Sequence, residues 1–189
     1  MTISMENSKK IKLFIGLSYL FVIGLFLFFF FSKFSIQEVT SYDFLRNYRS
    51  YFIELKESNL LITLISFYLL IIIWVFPLLG FGGPVALIGG FVFGKWIGTI
   101  VVVLGLTSGS IFLYIFGNFF LKNFIREKFL NKFINLENKF RKSEFIYLLI
   151  YRLVGGIPWQ LQCLLPLLFD VKIKNYFFST LIGIIPANF

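Results

Sequence analysis

Histidine is absent from this 189-residue sequence, and cysteine occurs only at Cys163. A single cysteine excludes an intrachain disulfide, and one cysteine without histidine excludes a structural zinc site within one chain. A serine nucleophile would need a lysine or a carboxylate as its base, yet the long apolar runs contain no carboxylate. We therefore expect no metal site, no cofactor, no catalytic residue and no enzyme activity.

Charged residues are also scarce, at 14% of the chain, whereas 58% of the residues are hydrophobic. Soluble domains contain roughly 45–50% apolar residues, so this composition and the mean hydropathy of +0.87 predict an integral membrane protein. The net charge of +9 would suit nucleic acid, but the basic residues cluster beside hydrophobic segments. That arrangement favours an anionic membrane surface, and we expect no nucleic-acid partner.

The apolar runs divide the chain into three segments. Residues 1–32 combine a polar tail with an uncharged run over 13–32, which is about 30 Å long as a helix and predicts a first transmembrane helix. A cleaved signal peptide is disfavoured because the run is long and no small-residue cleavage motif follows. Residues 33–59 carry an apolar stripe at helical spacing, which predicts a helix on the membrane surface or a plain linker helix. Residues 60–189 form the predicted membrane domain.

Residues 122–144 alternate basic and apolar side chains, and the apolar ones recur at helical spacing. This pattern predicts a basic amphipathic helix that binds an anionic lipid surface. A helix whose basic face is only solvated is the alternative.

The apolar run that begins at Leu60 is broken by several helix-disrupting residues. They are Pro77, Gly80, Gly82, Gly83 and Pro84. The break predicts a re-entrant hairpin over residues 60–94 that enters and leaves the membrane on one side. Counting basic residues by the positive-inside rule does not separate this topology from one in which every run crosses. The next run, 97–121, contains small residues such as Gly98 and Gly109 that let membrane helices approach closely.

A second break lies within the stretch "IYRLVGGIPWQLQCLL". Residues 145–154 and 159–169 are each about half a bilayer long, and Gly155, Gly156 and Pro158 separate them. Pro158 suits the first position of a new helix. Two interrupted segments in corresponding halves predict an inverted repeat with its working site near the bilayer midplane. The predicted fold is therefore all-α, with transmembrane helices and two opposed re-entrant hairpins.

Arg152 is a charge inside the second apolar segment, where an arginine costs roughly 2.5–3.5 kcal/mol on insertion scales. Because residues 145–169 contain no acid, its partner should be a backbone carbonyl, water, a distant acid such as Glu144 or Asp170, or a ligand anion. A guanidinium beside helix N–H groups and amide side chains suits the phosphate of a lipid. The alternative is that Arg152 only caps the carbonyls around Gly155. The predicted lipid-phosphate site comprises Arg152, Gly155, Gly156, Pro158, Gln160 and Gln162.

Three stretches, "GFVFGKWIGTIVVVLGLTSGS", "YRLVGGIPWQLQ" and "NYFFSTLIGIIPANF", resemble the DedA superfamily, specifically its VTT-domain (SNARE-associated, Tvp-like) branch. The likeness covers roughly residues 75–189. The matching positions are Gly90, Gly94, Gly98, Gly109, Arg152, Leu153, Pro158, Gly183 and Pro186. A set of glycines and prolines is expected to shape the hairpins and to let their helices pack closely. They are Pro77, Gly83, Pro84, Gly90, Gly94, Gly98, Gly109, Gly183 and Pro186.

The resemblance implies a multi-pass protein of the bacterial plasma membrane that moves phospholipids between leaflets, as a flippase or scramblase in lipid homeostasis. It places Arg152 at the position of a functional family arginine. The chain has Gly155 where the family often has proline. It also lacks the acidic residues that DedA members proper carry in the first hairpin, so passive scrambling is expected rather than proton-driven export. Residues 175–189 are too short to span a bilayer, so a truncated chain, a partner helix or a homo-oligomer is expected.

Two other functions stay open. A membrane scaffold or assembly factor would bind anionic lipid or protein partners through residues 122–144. A transporter of small solutes or ions is the third possibility.

Overall fold

The structure, a computed structural model, describes residues 57–120, 140–154 and 156–189, with single positions elsewhere. The chain divides into two compact units, Met1–Arg49 and Ser50–Phe189. In the first unit the described positions are isolated and helical. Most residues of the predicted first transmembrane helix, of the predicted surface helix at 33–59 and of the predicted basic helix therefore lie outside the described residues.

Within the described part of the second unit, all regular structure is helical, which confirms the predicted all-α class there. The elements are α1 (Leu60–Val75), α2 (Gly82–Phe120), α3 (Glu144–Leu153), α4 (Trp159–Leu164), a 3₁₀ helix (Leu165–Phe169), α5 (Ile173–Gly183) and α6 (Ile185–Asn188). Among the described helices, α2 alone is both long and apolar enough to cross a membrane.

Helix α1 begins at Asn59, whose side chain accepts a hydrogen bond from the Ile62 N–H at 3.1 Å. It ends before Pro77, because the residue that precedes a proline is disfavoured in helical geometry. The chain turns over residues 76–81, where Leu79 has a left-handed φ of 57°. The Trp74 indole closes this turn by donating to the Phe81 carbonyl at 2.9 Å.

Helix α2 is two arms joined at Gly94, where φ is 79° and ψ is 174°, a conformation that glycine adopts readily. The short arm, 82–93, packs antiparallel to the long arm, 95–120. A Cβ atom on Gly98 would lie 2.5 Å from the Gly89 carbonyl oxygen, so the arms touch backbone to backbone. We call α1, the turn at 76–81 and the short arm hairpin 1.

The long arm runs parallel to α1, and glycines make the contact close. A Cβ atom on Gly105 would lie 2.8 Å from Ile71, and one on Gly109 would lie 2.7 Å from Val75. The contacts between α1 and α2 form an apolar core cluster around Ile71, Val75 and Leu106. Hairpin 1 is therefore held against the long arm by hydrocarbon packing on glycines, together with a 2.7 Å hydrogen bond between the Tyr68 and Ser108 hydroxyls.

A second hairpin, hairpin 2, consists of α3, the turn at 154–158, α4 and the 3₁₀ helix. Gly156 in the turn has a φ of 90°. The Tyr151 hydroxyl donates to the Leu161 carbonyl at 3.2 Å, and the rings of Phe140 and Phe169 stack at 4.6 Å near the open end. These contacts show that the two arms of hairpin 2 are antiparallel helices.

Hairpin 2 leads through Asp170, whose φ is 52°, into α5, which runs parallel to α3. Helix α5 lies antiparallel to the long arm: Tyr176 stacks on Tyr114, whereas Ile184 packs into the cluster with Leu106. The second half therefore repeats the first in the opposite direction. The turns of the two hairpins meet beside the middle of the long arm, where the Gln160 amide donates to the Leu79 carbonyl at 2.9 Å.

Candidate functional site

Arg152 lies in the last turn of α3, four residues after Leu148, so both side chains share the face of α3 that packs inward. Only 6% of Arg152 is exposed. Helix α5 approaches this point closely because Gly183 has no side chain, and a Cβ atom there would lie 2.5 Å from the Arg152 Cβ. A cation in the last turn also suits the negative end of the helix dipole. The local fold thus holds one guanidinium at the turn of hairpin 2.

The guanidinium has neutral partners. Its Nη2 donates to the Tyr176 hydroxyl at 2.8 Å, and its Nη1 lies 3.9 Å from the Cys163 Sγ. The guanidinium carbon lies 5.1 Å from the Trp159 ring centre and 5.2 Å from that of Tyr176, within the range of cation–π attraction. Among the residues that the structure describes, no carboxylate pairs with Arg152.

Neither distant acid considered from the sequence is a partner of Arg152. Glu144 accepts from the backbone N–H of Lys172, and Asp170 pairs with the Lys122 ammonium group. Both acids lie at the open end of hairpin 2, whereas Arg152 lies at its turn. About 12 Å of helix separates Glu144 from Arg152 along α3.

Tyr176 holds the arginine in place through its own contacts. Its hydroxyl oxygen lies 3.4 Å from the Ser110 carbonyl and 3.4 Å from the Cys163 carbonyl, so its single proton has two acceptors. Its ring stacks on Tyr114 at 4.8 Å, and the Tyr114 hydroxyl donates to the Val171 carbonyl at 2.8 Å. The long arm, hairpin 2 and α5 are therefore joined at the arginine.

A cavity of about 300 Å³ lies beside the arginine, between the turns of the two hairpins. Its walls come from hairpin 1, the long arm, hairpin 2 and the segment that contains α6. The lining residues are Gly82, Gly83, Ala86, Leu106, Arg152, Leu153, Val154, Gly156, Ile157, Trp159, Gln162, Ile184, Ala187 and Asn188. We call this space the central cavity.

Three of the six predicted phosphate-site residues, Arg152, Gly156 and Gln162, line the central cavity. Gln160 is directed elsewhere, because its amide donates to Leu79 in hairpin 1. Pro158 is exposed and is the N-cap of α4, one residue before the first helical position expected for it. Gly155 lies outside the described residues.

The predicted packing residues occupy several kinds of position. Pro77 follows the end of α1, Pro84 lies in the first turn of α2, and Pro186 lies in α6. Gly94, Gly98, Gly109 and Gly183 lie at the chain reversal and at the close contacts already described. A Cβ atom on Gly83 would lie 3.3 Å from the Phe81 ring, and one on Gly90 would meet nothing within 4 Å.

Three residues at the site were missed from the sequence: Trp159, Cys163 and Tyr176. The sequence of α5 contains a pattern that could have indicated Tyr176. One helix face carries small and hydroxyl-bearing residues at spacings of three and four. They are Tyr176, Ser179, Thr180 and Gly183, and all four are buried. Such a face is typical of a helix that packs closely and forms polar contacts inside a membrane protein.

The site has the chemistry of an anion site. A guanidinium offers five N–H donors in a fork that matches phosphate oxygens, and here it borders a cavity rather than a carboxylate. The Trp159 indole N–H is buried and has no acceptor among the described residues, and the Gln162 amide is also at the wall. The described residues contain no group of three or more histidine, cysteine or acidic side chains that could hold a metal ion.

Comparison with known proteins gives one family. No solved structure matches the chain. The VTT domain family matches residues 76–189, which is more than half of the chain and includes the long arm, hairpin 2 and α5. The chain therefore belongs to the VTT-domain family, the DedA/SNARE-associated group of membrane proteins.

Proposed function

We propose that this is a multi-pass membrane protein that lets phospholipids cross between leaflets, with Arg152 binding the phosphate of the head group on the way. The two hairpins are re-entrant in this proposal and enter from opposite faces. The observation that carries the proposal is the buried Arg152, which has no carboxylate partner among the described residues and borders a cavity between the two turns.

Membrane embedding is supported by the outer surface of the helices. On α1, Leu61 is 71% exposed and Leu70 is 61% exposed, and Leu87 on the short arm is 69% exposed. Exposed aliphatic side chains in such density are costly in water and suit contact with lipid. The long arm is about 39 Å long, enough to span a bilayer core of about 30 Å, whereas α1 is about 24 Å long. The hairpin helices are thus too short to cross the bilayer core, whereas the long arm is long enough.

A phosphate is the ligand that best explains the arginine. A charge held at the middle of the long arm lies near the bilayer centre, where it costs roughly 2.5–3.5 kcal/mol. Burial of a cation is offset when an anion binds it through charge-assisted hydrogen bonds. The central cavity, at about 300 Å³, is at the lower end of the roughly 300–1,000 Å³ range of ligand pockets. It therefore suits a head group whose acyl chains remain in the surrounding lipid.

A liposome assay tests this proposal. Liposomes that contain the purified protein should equilibrate a fluorescent phospholipid between leaflets faster than empty liposomes. Arg152→Met should lower this rate at least tenfold, because it removes the guanidinium and keeps a long side chain, whereas Lys174→Met removes an exposed cation of α5 and should not. Far-UV circular dichroism and the gel-filtration elution volume of each variant report whether it is folded. A wild-type rate equal to that of empty liposomes, or a folded Arg152→Met at the wild-type rate, would contradict the proposal.

The same variants address the scaffold function. A non-transporting scaffold predicts that folded Arg152→Met supports growth of a deletion strain as well as the wild type. It also predicts that replacing the lysines and arginines of 122–144 by glutamine abolishes that support. Lipid movement predicts the opposite order, with Arg152→Met the more damaging change.

A further inference from the structure

A second cationic residue, Lys95, lies at the end of the long arm that follows Gly94. Its ammonium nitrogen is 3.7 Å from the Phe189 ring centre and 5.9 Å from that of Trp96. The two rings meet edge to face at 5.3 Å. A lysine with tryptophan and phenylalanine at a helix end is typical of the membrane–water interface. Lys95 therefore lies at the level of lipid head groups when the long arm spans the membrane.

Lys95 also lines a cavity of about 250 Å³, which we call the outer cavity. Its lining residues are Ala86, Gly90, Lys95, Gly98, Thr99, Val102, Asn188 and Phe189. Ala86 and Asn188 line the central cavity as well, so the two cavities share walls. Thr99 and Asn188 give the outer cavity polar groups, and the Thr99 hydroxyl donates to the Asn188 carbonyl at 3.1 Å.

The charges at the two ends of the long arm differ. Lys122, at the far end, is paired with Asp170. In the part of the chain that the structure describes, no carboxylate is paired with Lys95. Among the described residues, the lysine at one end is thus paired with an acid, whereas the ammonium group of Lys95 faces aromatic rings.

We propose that Lys95 is an outer phosphate site, where the head group of an anionic phospholipid binds before its phosphate reaches Arg152. The shared wall at Ala86 and Asn188 is the boundary between the outer and the central site. Along the long arm, about 22 Å separates Lys95 from Ser110, the residue whose carbonyl lies beside Tyr176 and Arg152. A phosphate thus has one cation at the interface and a second near the middle. The route from one to the other rests on the proposed function, but binding at Lys95 does not.

Amine acylation tests binding by itself. The full-length protein in detergent is treated with an acetylating reagent, and mass spectrometry gives the rate at each lysine. Dihexanoyl phosphatidylglycerol should slow acetylation of Lys95 at least threefold, and dihexanoylglycerol, which lacks the phosphate, should not. Lys174, which is exposed and lines neither cavity, should react at the same rate with either compound. Inorganic phosphate at matched concentration distinguishes a free anion from a lipid head group as the preferred ligand.

Two variants keep this proposal separate from the proposed function. Protection of Lys95 should persist in Arg152→Met, because the outer site does not need the central one. In the liposome assay Lys95→Met should lower the flipping rate about three- to tenfold when phosphatidylglycerol is scarce, and less when it is abundant, whereas Lys95→Arg should keep the rate. If Arg152→Met flips lipid normally, the proposed function fails while the protection of Lys95 still stands. If phosphatidylglycerol does not protect Lys95 more than dihexanoylglycerol does, Lys95 is an interfacial anchor only and the outer site is excluded.

Discussion

The two hairpins follow one backbone plan but differ in what their cores contain. Each begins with a helix, turns at a residue with left-handed φ, and returns. Each is followed by another left-handed residue that reverses the chain into the next helix: Gly94 after hairpin 1 and Asp170 after hairpin 2. In both halves that next helix runs parallel to the first helix of the hairpin. The likeness lies in the backbone, because the two segments share little side-chain identity.

The two cores differ most clearly at one position, where each hairpin packs against a glycine of the helix that follows it. In hairpin 1, Val75 is the last residue of α1 and packs against Gly109 of the long arm. In hairpin 2, Arg152 packs against Gly183 of α5. The glycine is kept in both halves, and only the residue facing it changes from apolar to charged. Close helix packing against a glycine is therefore common to both hairpins, whereas the buried charge and its tyrosine partner occur at hairpin 2.

Moving the charge to the other hairpin should have the largest effect. Val75 is fully buried in an apolar cluster, so Val75→Arg would bury a guanidinium among hydrocarbon side chains such as Ile71 and Leu106. We expect a loss of about 3–5 kcal/mol in the free energy of unfolding, as for an uncompensated buried charge. Unfolding by SDS in mixed micelles, followed by tryptophan fluorescence, measures this loss.

Val75→Met is the matched control, because it adds similar length without charge and should cost about 1–3 kcal/mol by overpacking against Gly109. An arginine variant no less stable than the methionine variant would mean that either hairpin tolerates a charge. The neutral partners of Arg152 would then be incidental to its burial.

The backbone breaks could be predicted from the sequence because they are local. A proline such as Pro77 interrupts a helix anywhere beyond its first turn, and Gly94 and Gly156 favour conformations that other residues avoid. The partners of Arg152 could not be predicted in the same way. Tyr176 is 24 residues away in the sequence, and the Gln160–Leu79 contact joins residues 81 apart, so both depend on the tertiary fold.

The two arms of α2 touch backbone to backbone, and substitutions of two glycines in α2 test this contact. Gly98→Ala would bring a Cβ atom to 2.5 Å from the Gly89 carbonyl oxygen, and a backbone atom cannot move aside as a side chain can. We expect this change to cost about 1–3 kcal/mol in the free energy of unfolding. Gly90→Ala, where a Cβ atom meets nothing within 4 Å, should be neutral or up to about 1 kcal/mol stabilising through helix propensity.

Equal costs for the two alanine variants would contradict the close packing of the two arms of α2. A loss confined to Gly98→Ala would support it. The measurement is the same SDS unfolding curve, recorded for both proteins under one set of conditions.

The contact between the two turns should show the smallest effect. The Gln160 amide, which donates to the Leu79 carbonyl, is the hydrogen bond that joins hairpin 2 to the turn of hairpin 1. Gln160→Met removes the donor at similar length and should lower the free energy of unfolding by about 0.5–1.5 kcal/mol. Gln160→Glu at neutral pH should lower it further, because an ionised carboxylate accepts hydrogen bonds and would face a carbonyl oxygen. If the glutamate variant is as stable as the wild type, the turns are not joined through this residue.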